Sequence, residues 1–433
     1  MLLKRIQLGL IHMAVAMTLV PINSTLNRVM IKDLAISATL VAILASLPYL
    51  FSPIQVAIGS FSDRHPLFGL RRTPYIFLGL LLTFLGVVMS PGVAFLLASN
   101  FWAGVAVGVL AFGAWGMGYN FATVSYLSLA SELSGEKGRA RTVAMMWFMM
   151  ITSIILTAIA LSRMVDPYSP AALVRAFWVV GVAALLLGFL GLIGLEKRSA
   201  ELADLSGGYS WSAMFRVILQ NPQATHFFWY LTILLAAILG QDILLEPFGG
   251  EAFGMTVQQT TRITSIWGVC VLAALLVAGA LGGRVKKRSV AGVGAWGALL
   301  GFVMIAASGL LVSSRIFYGG VVLLGIGTGL ATVSNLSLML DMTTARNVGL
   351  FIGAWGMSNA VSRLVGTVLG GAVRDVVSQV AQNPILGYVV VFVIEAFMLG
   401  VSLVMLRQIN VGEFQHAAEE LSLVEQAAIA SEA

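Results

Sequence analysis

Asp242 and Glu246 stand four positions apart in the stretch Gln241-Asp242-Ile243-Leu244-Leu245-Glu246-Pro247-Phe248-Gly249-Gly250-Glu251, directly after the uncharged run Phe227 to Gly240. On a helix that spacing puts both carboxylates on one face. Such groups can titrate, pair with a cation or accept hydrogen bonds from a ligand. At 1.5 Å rise per residue, Asp242 lies roughly 20 Å along the run. A carboxylate that deep in a bilayer costs several kcal/mol unless it is protonated, paired or hydrated, so the pair is read as a functional site. Pro247 cannot continue the backbone ladder, which frees the helix end for ligand contacts.

The elements that must position these acids follow from composition. With 59% hydrophobic residues, only 10% charged and a mean hydropathy of +0.94, the chain is not a water-facing globule. Apolar segments long enough to span a bilayer fall at 8–31, 36–59, 74–97, 101–130, 142–165, 172–195, 223–247, 260–282, 290–313, 316–340, 347–374 and 386–406. The expected fold class is therefore all-α integral membrane, with 12 transmembrane helices. The first segment follows Lys4 and Arg5 as a signal peptide would, but it runs through Asn23, Ser24 and Asn27 without a small-residue cleavage site and is kept as a helix. Placing the amino terminus inside collects most of the 25 Lys and Arg on the cytoplasmic loops, so both termini are expected to be cytoplasmic. The pI near 9.6 then reflects that bias and not a nucleic-acid surface. Cys270 is the only cysteine, which excludes an internal disulfide.

The chain contains itself twice. Ala122-Thr-Val-Ser-Tyr-Leu-Ser-Leu129 recurs as Ala331-Thr-Val-Ser-Asn-Leu-Ser-Leu338, displaced by 209 residues (331 − 122), and each copy is followed by an acid, Glu132 or Asp341. Gly59 to Arg64 has a weaker counterpart in Gly279 to Arg284, in which Gly283 replaces Asp63. Two parallel six-helix halves are the architecture of major facilitator transporters, with a binding site expected between the halves near the midplane. The expected divisions are a half at 1–195, a cytoplasmic linker at 196–222, a half at 223–407 and an acidic cytoplasmic tail at 408–433. The linker is expected to carry a short amphipathic helix around Trp211 to Leu219 on the membrane surface. The loop Gly59 to Arg72 resembles the facilitator motif between helices 2 and 3, which implies that Asp63, Arg64, Arg71 and Arg72, with Arg284 at the repeat, gate the cytoplasmic opening by latching the halves.

Enzymatic motifs are wanting. Gly292-Val-Gly294-Ala-Trp-Gly297 matches a dinucleotide fingerprint but sits within a spanning segment with no strand before it. No Walker loop, metal-spaced His/Cys cluster, nucleophile elbow or closely spaced Asp pair occurs, so the chain is expected not to be an enzyme. Gly104 with Gly108, Gly349 with Gly353 and Gly366 with Gly370 read as close helix packing, as does Gly-Ala-Trp-Gly-Met at 113–117 and 353–357.

Three motifs carry a closer resemblance: Pro21-Ile-Asn23-Ser24-Thr25-Leu-Asn27-Arg28-Val-Met30-Ile31, Ser62-Asp63-Arg64-His65-Pro66-Leu-Phe-Gly69 with Arg72-Thr-Pro-Tyr75, and Gln241 to Gly250. Over nearly the whole chain up to about Asn410 it resembles the PucC family, the bacteriochlorophyll-delivery branch of the major facilitator superfamily. The resemblance implies a light-harvesting assembly factor that delivers (bacterio)chlorophyll to antenna polypeptides in a photosynthetic membrane, intracytoplasmic or thylakoid, or in the cytoplasmic membrane. It implies as partners the pigment or a late precursor, light-harvesting or photosystem polypeptides and a chlorophyll synthase.

A chlorin needs an apolar groove and one axial oxygen or nitrogen for its magnesium. Candidate contacts are Asn23, Asn27, Gln241, Asp242 and Glu246, with the close-approach glycines Gly249 and Gly250. His12, the one histidine well inside an apolar segment, is a weaker magnesium ligand set against an ordinary helix-helix hydrogen bond. Arg28 is expected to neutralise Asp242 or Glu246 from across the cavity. Two other readings stay open: a proton-coupled small-solute transporter in which Asp242 and Glu246 titrate, and a non-transporting scaffold for assembly.

Overall fold

The computed structural model describes residues 2–198, 219, 221–280, 284–342 and 348–415. The Asp63 side chain, Gly283, nearly all of the expected surface helix around Trp211 and the tail from 416 onward lie outside the described residues.

Regular structure in the described residues is helical apart from one bridge between Leu67 and Leu70. Helix α1 (Leu2–Val20) runs on through π-helical turns at Pro21–Leu26 and Val29–Asp33. It is followed by α2 (Ala38–Ala45), α3 (Leu47–Leu50), α4 (Ile54–Arg64), α5 (Thr73–Ser99), α6 (Phe101–Met164) and α7 (Pro170–Leu192). The second half holds α8 (Pro222–Gly240), a 3-10 turn (Gln241–Ile243), α9 (Leu245–Phe253), α10 (Val257–Ala280), α11 (Lys287–Leu311), α12 (Ser314–Asp341), α13 (Val348–Ala381) and α14 (Pro384–Leu406). Among the described residues 11 helices are long and apolar enough to span a membrane. Helix α6 supplies two of them, because Gly135 turns the chain at φ 61°, a conformation that costs glycine little.

The twelfth expected segment, 36–59, is present as α2, α3 and α4. Pro48 and Pro53 each remove a ladder hydrogen bond and crowd a carbonyl four residues back, which interrupts the helix around Ser46 and again around Phe51 to Pro53. The expected continuous helix 223–247 is likewise broken. It stops at Gly240 and restarts at Leu245, and Pro247 explains the gap because its ring sits against the position of the Ile243 carbonyl. Irregular backbone at this depth is tolerated where it is buried in protein or lines a cavity.

The two halves repeat each other in their packing. A Cβ on Gly79 of α5 would meet the Ala122 nitrogen of α6 at 2.5 Å, and one on Gly294 of α11 would meet the Ala331 nitrogen of α12 at 2.5 Å. The first residue of each sequence repeat is thus the seat of the same glycine-to-backbone contact. Glu132 then pairs with Arg72 at 3.2 Å and with Arg71 at 3.4 Å, and Asp341 pairs with Lys287 at 2.7 Å. Gly104 and Gly366 also make close backbone contacts, with Leu97 and Ala236. Both Trp115 and Trp355 are fully buried, as packing residues would be.

The halves meet where α2 lies on α13 and where the second arm of α6 lies on α10. Their mutual bonds concentrate at the end opposite the amino terminus, called here the far end. There the Ala38 and Thr39 amides donate to Asp375 at 3.1 and 2.8 Å, and the Thr39 hydroxyl adds a third bond at 2.7 Å. Arg28 donates to the Met255 carbonyl at 3.1 Å, and Lys32 stands 4.0 Å from Glu251.

At the amino-terminal end the bonds described stay within one half. Glu196 accepts the amides of Arg71, Arg72 and Thr73 at 2.8, 3.1 and 2.7 Å, capping α5. A separate apolar cluster containing Leu8, Ile11, Ile76, Tyr126 and Leu195 belongs to the first half alone. In this conformation the described bonds of Arg71 and Arg72 brace their own half, and the Asp63 part of the expected latch lies outside the described residues. Arg64 and Arg284 are exposed.

Candidate functional site

A cavity of about 220 Å³ lies between the halves. Asn23 and Ser24 reach it from the π-helical turn after α1, and Gln241, Asp242 and Glu246 reach it from the break between α8 and α9. Thr264, Thr328, Thr332 and Arg363 complete its polar lining, while Trp147, Met150, Ile151, Ile154, Leu239 and Trp267 form apolar walls. Three interrupted helices thus meet at one place, since the break between α2 and α3 brings Tyr49 beside Arg363. Half-helix ends of this kind present unpaired backbone and side-chain polar groups to a midplane ligand.

Two carboxylates face the cavity in different company. Asp242 accepts from Arg363 at 3.0 Å and from Gln241 at 3.0 Å, and the Arg363 guanidinium also bonds the Tyr49 hydroxyl at 3.2 Å and lies 5.2 Å from that ring's centre. Glu246 receives Ser24 at 2.5 Å and Thr264 at 2.6 Å, both on Oε1, and its Oε2 has no partner among the described residues. The Ser24 bond joins the halves across the cavity, as does the Thr25 to Thr261 hydroxyl pair at 2.9 Å. Asp242 is therefore held by a cation, and Glu246 by hydroxyls with one oxygen to spare.

The expected neutralisation of Asp242 by Arg28 is corrected to another cation, whereas the Arg28 charge still acts on Glu246 without forming an ion pair with it. Arg28 pairs with Asp33 at 2.5 Å at the far end, and Arg363 takes the place beside Asp242. The π-helical turns explain the difference, because each inserts a residue and rotates the chain beyond it away from the register of a plain α-helix. Gly250 permits the close approach of Arg28, since a Cβ there would meet its guanidinium at 3.1 Å, and Gly249 packs on Ile263 and Met255. Neither glycine lines the cavity. Asn27 is buried, with no partner for its amide nitrogen or oxygen among the described residues, and it too lies outside the cavity lining. His12 packs in the first half, with its ring centre 5.2 Å from that of Tyr126 and 6.4 Å from that of Trp147.

Arg363, Tyr49, Ser24 and Thr264 were not singled out in the sequence as site residues. Arg363 carried a readable signal, being the one charged residue between Val348 and Val373. Ser24 lay inside the quoted motif beside Asn23, whereas Tyr49 and Thr264 carried no signal, because hydroxyl-bearing residues are common in packed membrane helices.

The description "PUCC protein" matches residues 25–414. The chain belongs to the PUCC family. Among its relatives, protein PucC of Cereibacter sphaeroides is 30% identical over 424 residues, covering 93% of this chain and 91% of the relative. A Rhodobacter capsulatus protein named bacteriochlorophyll synthase 44.5 kDa chain is 27% identical over 379 residues, covering 86% of this PUCC chain and 87% of the relative. Among solved structures, a bacterial homolog to the human lysosomal transporter Spinster, inward-facing and unoccupied, superposes with a TM-score of 0.71 at 13% identity, over 96% of this chain and 97% of that one. That likeness establishes the fold: this PUCC chain is an integral multi-pass membrane protein of major facilitator architecture.

Proposed function

We propose that this chain binds (bacterio)chlorophyll or a late precursor between its halves and delivers it to light-harvesting polypeptides. The observation that carries the reading is the composition of the central cavity, in which two tryptophans and aliphatic walls surround a carboxylate with one unused oxygen. A magnesium chlorin asks for such walls and for one axial oxygen, which Glu246, Gln241 or Asn23 would supply. The name of one relative, bacteriochlorophyll synthase 44.5 kDa chain, points to the same pigment. The protein resides in a photosynthetic membrane with both termini cytoplasmic, and a chlorophyll synthase is a fitting supplier of the cargo.

The cavity is smaller than the several hundred Å³ typical of drug-sized ligands, so a phytylated pigment cannot be enclosed whole. Its tail would leave sideways into lipid. A lateral apolar groove of about 250 Å³, lined by Met13, Met17, Leu156, Met164, Val179 and Leu187, supports an exit of that kind on the first half.

The test is purification from the native photosynthetic membrane, with identification of bound pigment and copurifying polypeptides. The expected result is unaltered pigment with antenna polypeptides, and reduced pigment in Glu246→Gln although that variant inserts normally. A colourless protein that still supports antenna assembly would reject the carrier reading in favour of a scaffold, and chemical alteration of the pigment would favour a synthase subunit. The ion pair in the cavity favours one further reading, a proton-coupled solute transporter. Proton-driven uptake of a small solute by the purified protein in vesicles would decide for it.

A further inference from the structure

Glu395 lies midway along α14, away from the cavity lining, and is 4% exposed. Neither of its carboxyl oxygens has a partner among the described residues. It sits at the crossing of three helices, because a Cβ on Gly240 would meet Glu395 Oε1 at 2.9 Å and the Gly366 carbonyl oxygen at 3.2 Å. Gly240 is the last residue of α8, two positions before Asp242. The carboxyl group therefore rests directly behind the break that presents the cavity acids.

The charges around it decide its state. Helix α8 with its 3-10 turn brings Asp242, and α13 brings Arg363, which Asp242 and Tyr49 already engage. Helix α9 carries Glu246, turned toward Ser24 and Thr264. The basic residues of α11, Lys287 and Arg288, lie at its start, at the amino-terminal end of the bundle. An ionised Glu395 would be a second buried anion without a cation, at a cost of several kcal/mol. A neutral carboxylic acid fits the same space.

We propose that Glu395 is a proton-binding site coupled to the gate between the halves, loaded in the present far-end-closed conformation. Opening of the break at Gln241 to Ile243 admits cavity water to Glu395, the O–H bond breaks, the proton passes to that water and the carboxylate is left beside Asp242. Repulsion between these two anions of the second half then disturbs the Asp242–Arg363 pair and with it the Arg363 to Tyr49 bond, which crosses to the first half, and so favours parting of the halves. Loss of the proton at higher pH thus opens the far end, and acid closes it. The site does not depend on which cargo the cavity takes.

The first measurement treats the purified wild-type protein with dicyclohexylcarbodiimide, which adds to protonated carboxyl groups in apolar surroundings. Modification of Glu395 at neutral pH, mapped by peptide mass, is expected, together with an infrared carbonyl band of a protonated acid that is absent from Glu395→Gln. An unmodified Glu395 and identical spectra would overturn the proposal. The second measurement places a reporter at the buried contact between halves, Thr261→Cys in a Cys270→Ala background, and follows labelling by a water-soluble maleimide. Divided by the rate of a fully exposed cysteine at the same pH, which removes the thiol's own ionisation, the labelling rate should rise from mildly acidic to mildly alkaline pH with Glu395 present and lose that dependence in Glu395→Gln, which mimics the loaded acid permanently. A purely structural Glu395 would leave the pH profile unchanged, and that result would overturn the coupling.

Discussion

Both ends of the bundle use a carboxylate to cap the start of a helix, yet they tie together different things. At the far end Asp375 of the second half caps α2 of the first. At the amino-terminal end Glu196 caps α5 of its own half, and Glu132 and Asp341 pair with basic residues of their own halves. The same local chemistry thus closes one end and leaves the other free to part. Apolar packing follows the same division, since one large core contains residues of both halves while the small cluster around Leu8 and Tyr126 belongs to the first half alone. What distinguishes gate from brace is whether the bond crosses from one half to the other. The middle level belongs with the far end because Arg363, paired with Asp242 inside the second half, also bonds Tyr49 of the first.

The strongest challenge to that grouping is Arg363→Met. Removing the guanidinium strands Asp242. Breaking a fully buried pair from one side costs about 3–5 kcal/mol, and the exposure of both groups to the cavity makes that an upper bound here. The variant should lose much of its thermal stability in detergent, and adding Asp242→Asn should restore most of it because the stranded charge is gone. A single variant as stable as wild type would remove Arg363, with its bond to Tyr49, from the contacts that hold the halves.

Much of this was legible in the residues. The apolar run before Asp242 placed both acids deep in the bilayer, and they do line the cavity. The same depth rule applied further along would have found Arg363 and also Glu395, the one charged residue between Leu386 and Leu406. Pairing was not legible, because the partner of Asp242 is set by π-helical turns and proline breaks whose rotation no residue spacing reveals. The closed end was not legible either. Which end of a two-half bundle is closed depends on small free-energy differences between arrangements, which residue spacing does not reveal.

Asp375→Ala sharpens the contrast between the ends. Loss of a helix cap costs about 1 kcal/mol, and here two amides of α2 and a hydroxyl lose their acceptor together. With Thr261→Cys as reporter, the expected result is severalfold faster labelling, since the bond lost is one that must break for the halves to part. Unchanged labelling would mean that α2 holds to α13 by packing alone and that the cap is incidental.

Glu196→Ala is the matched control and should have the smallest effect on that reporter. It removes an acceptor from three amides at the start of α5, so the cost to folding is again about 1 kcal/mol. The loss falls within one half, between the end of α7 and the start of α5, and no bond between halves depends on it in this conformation. Labelling at Thr261→Cys should therefore stay at the wild-type rate while thermal stability drops slightly. If labelling accelerated as much as in Asp375→Ala, the brace would transmit to the far end through α5 and α6, and the two ends would act as a single coupled gate.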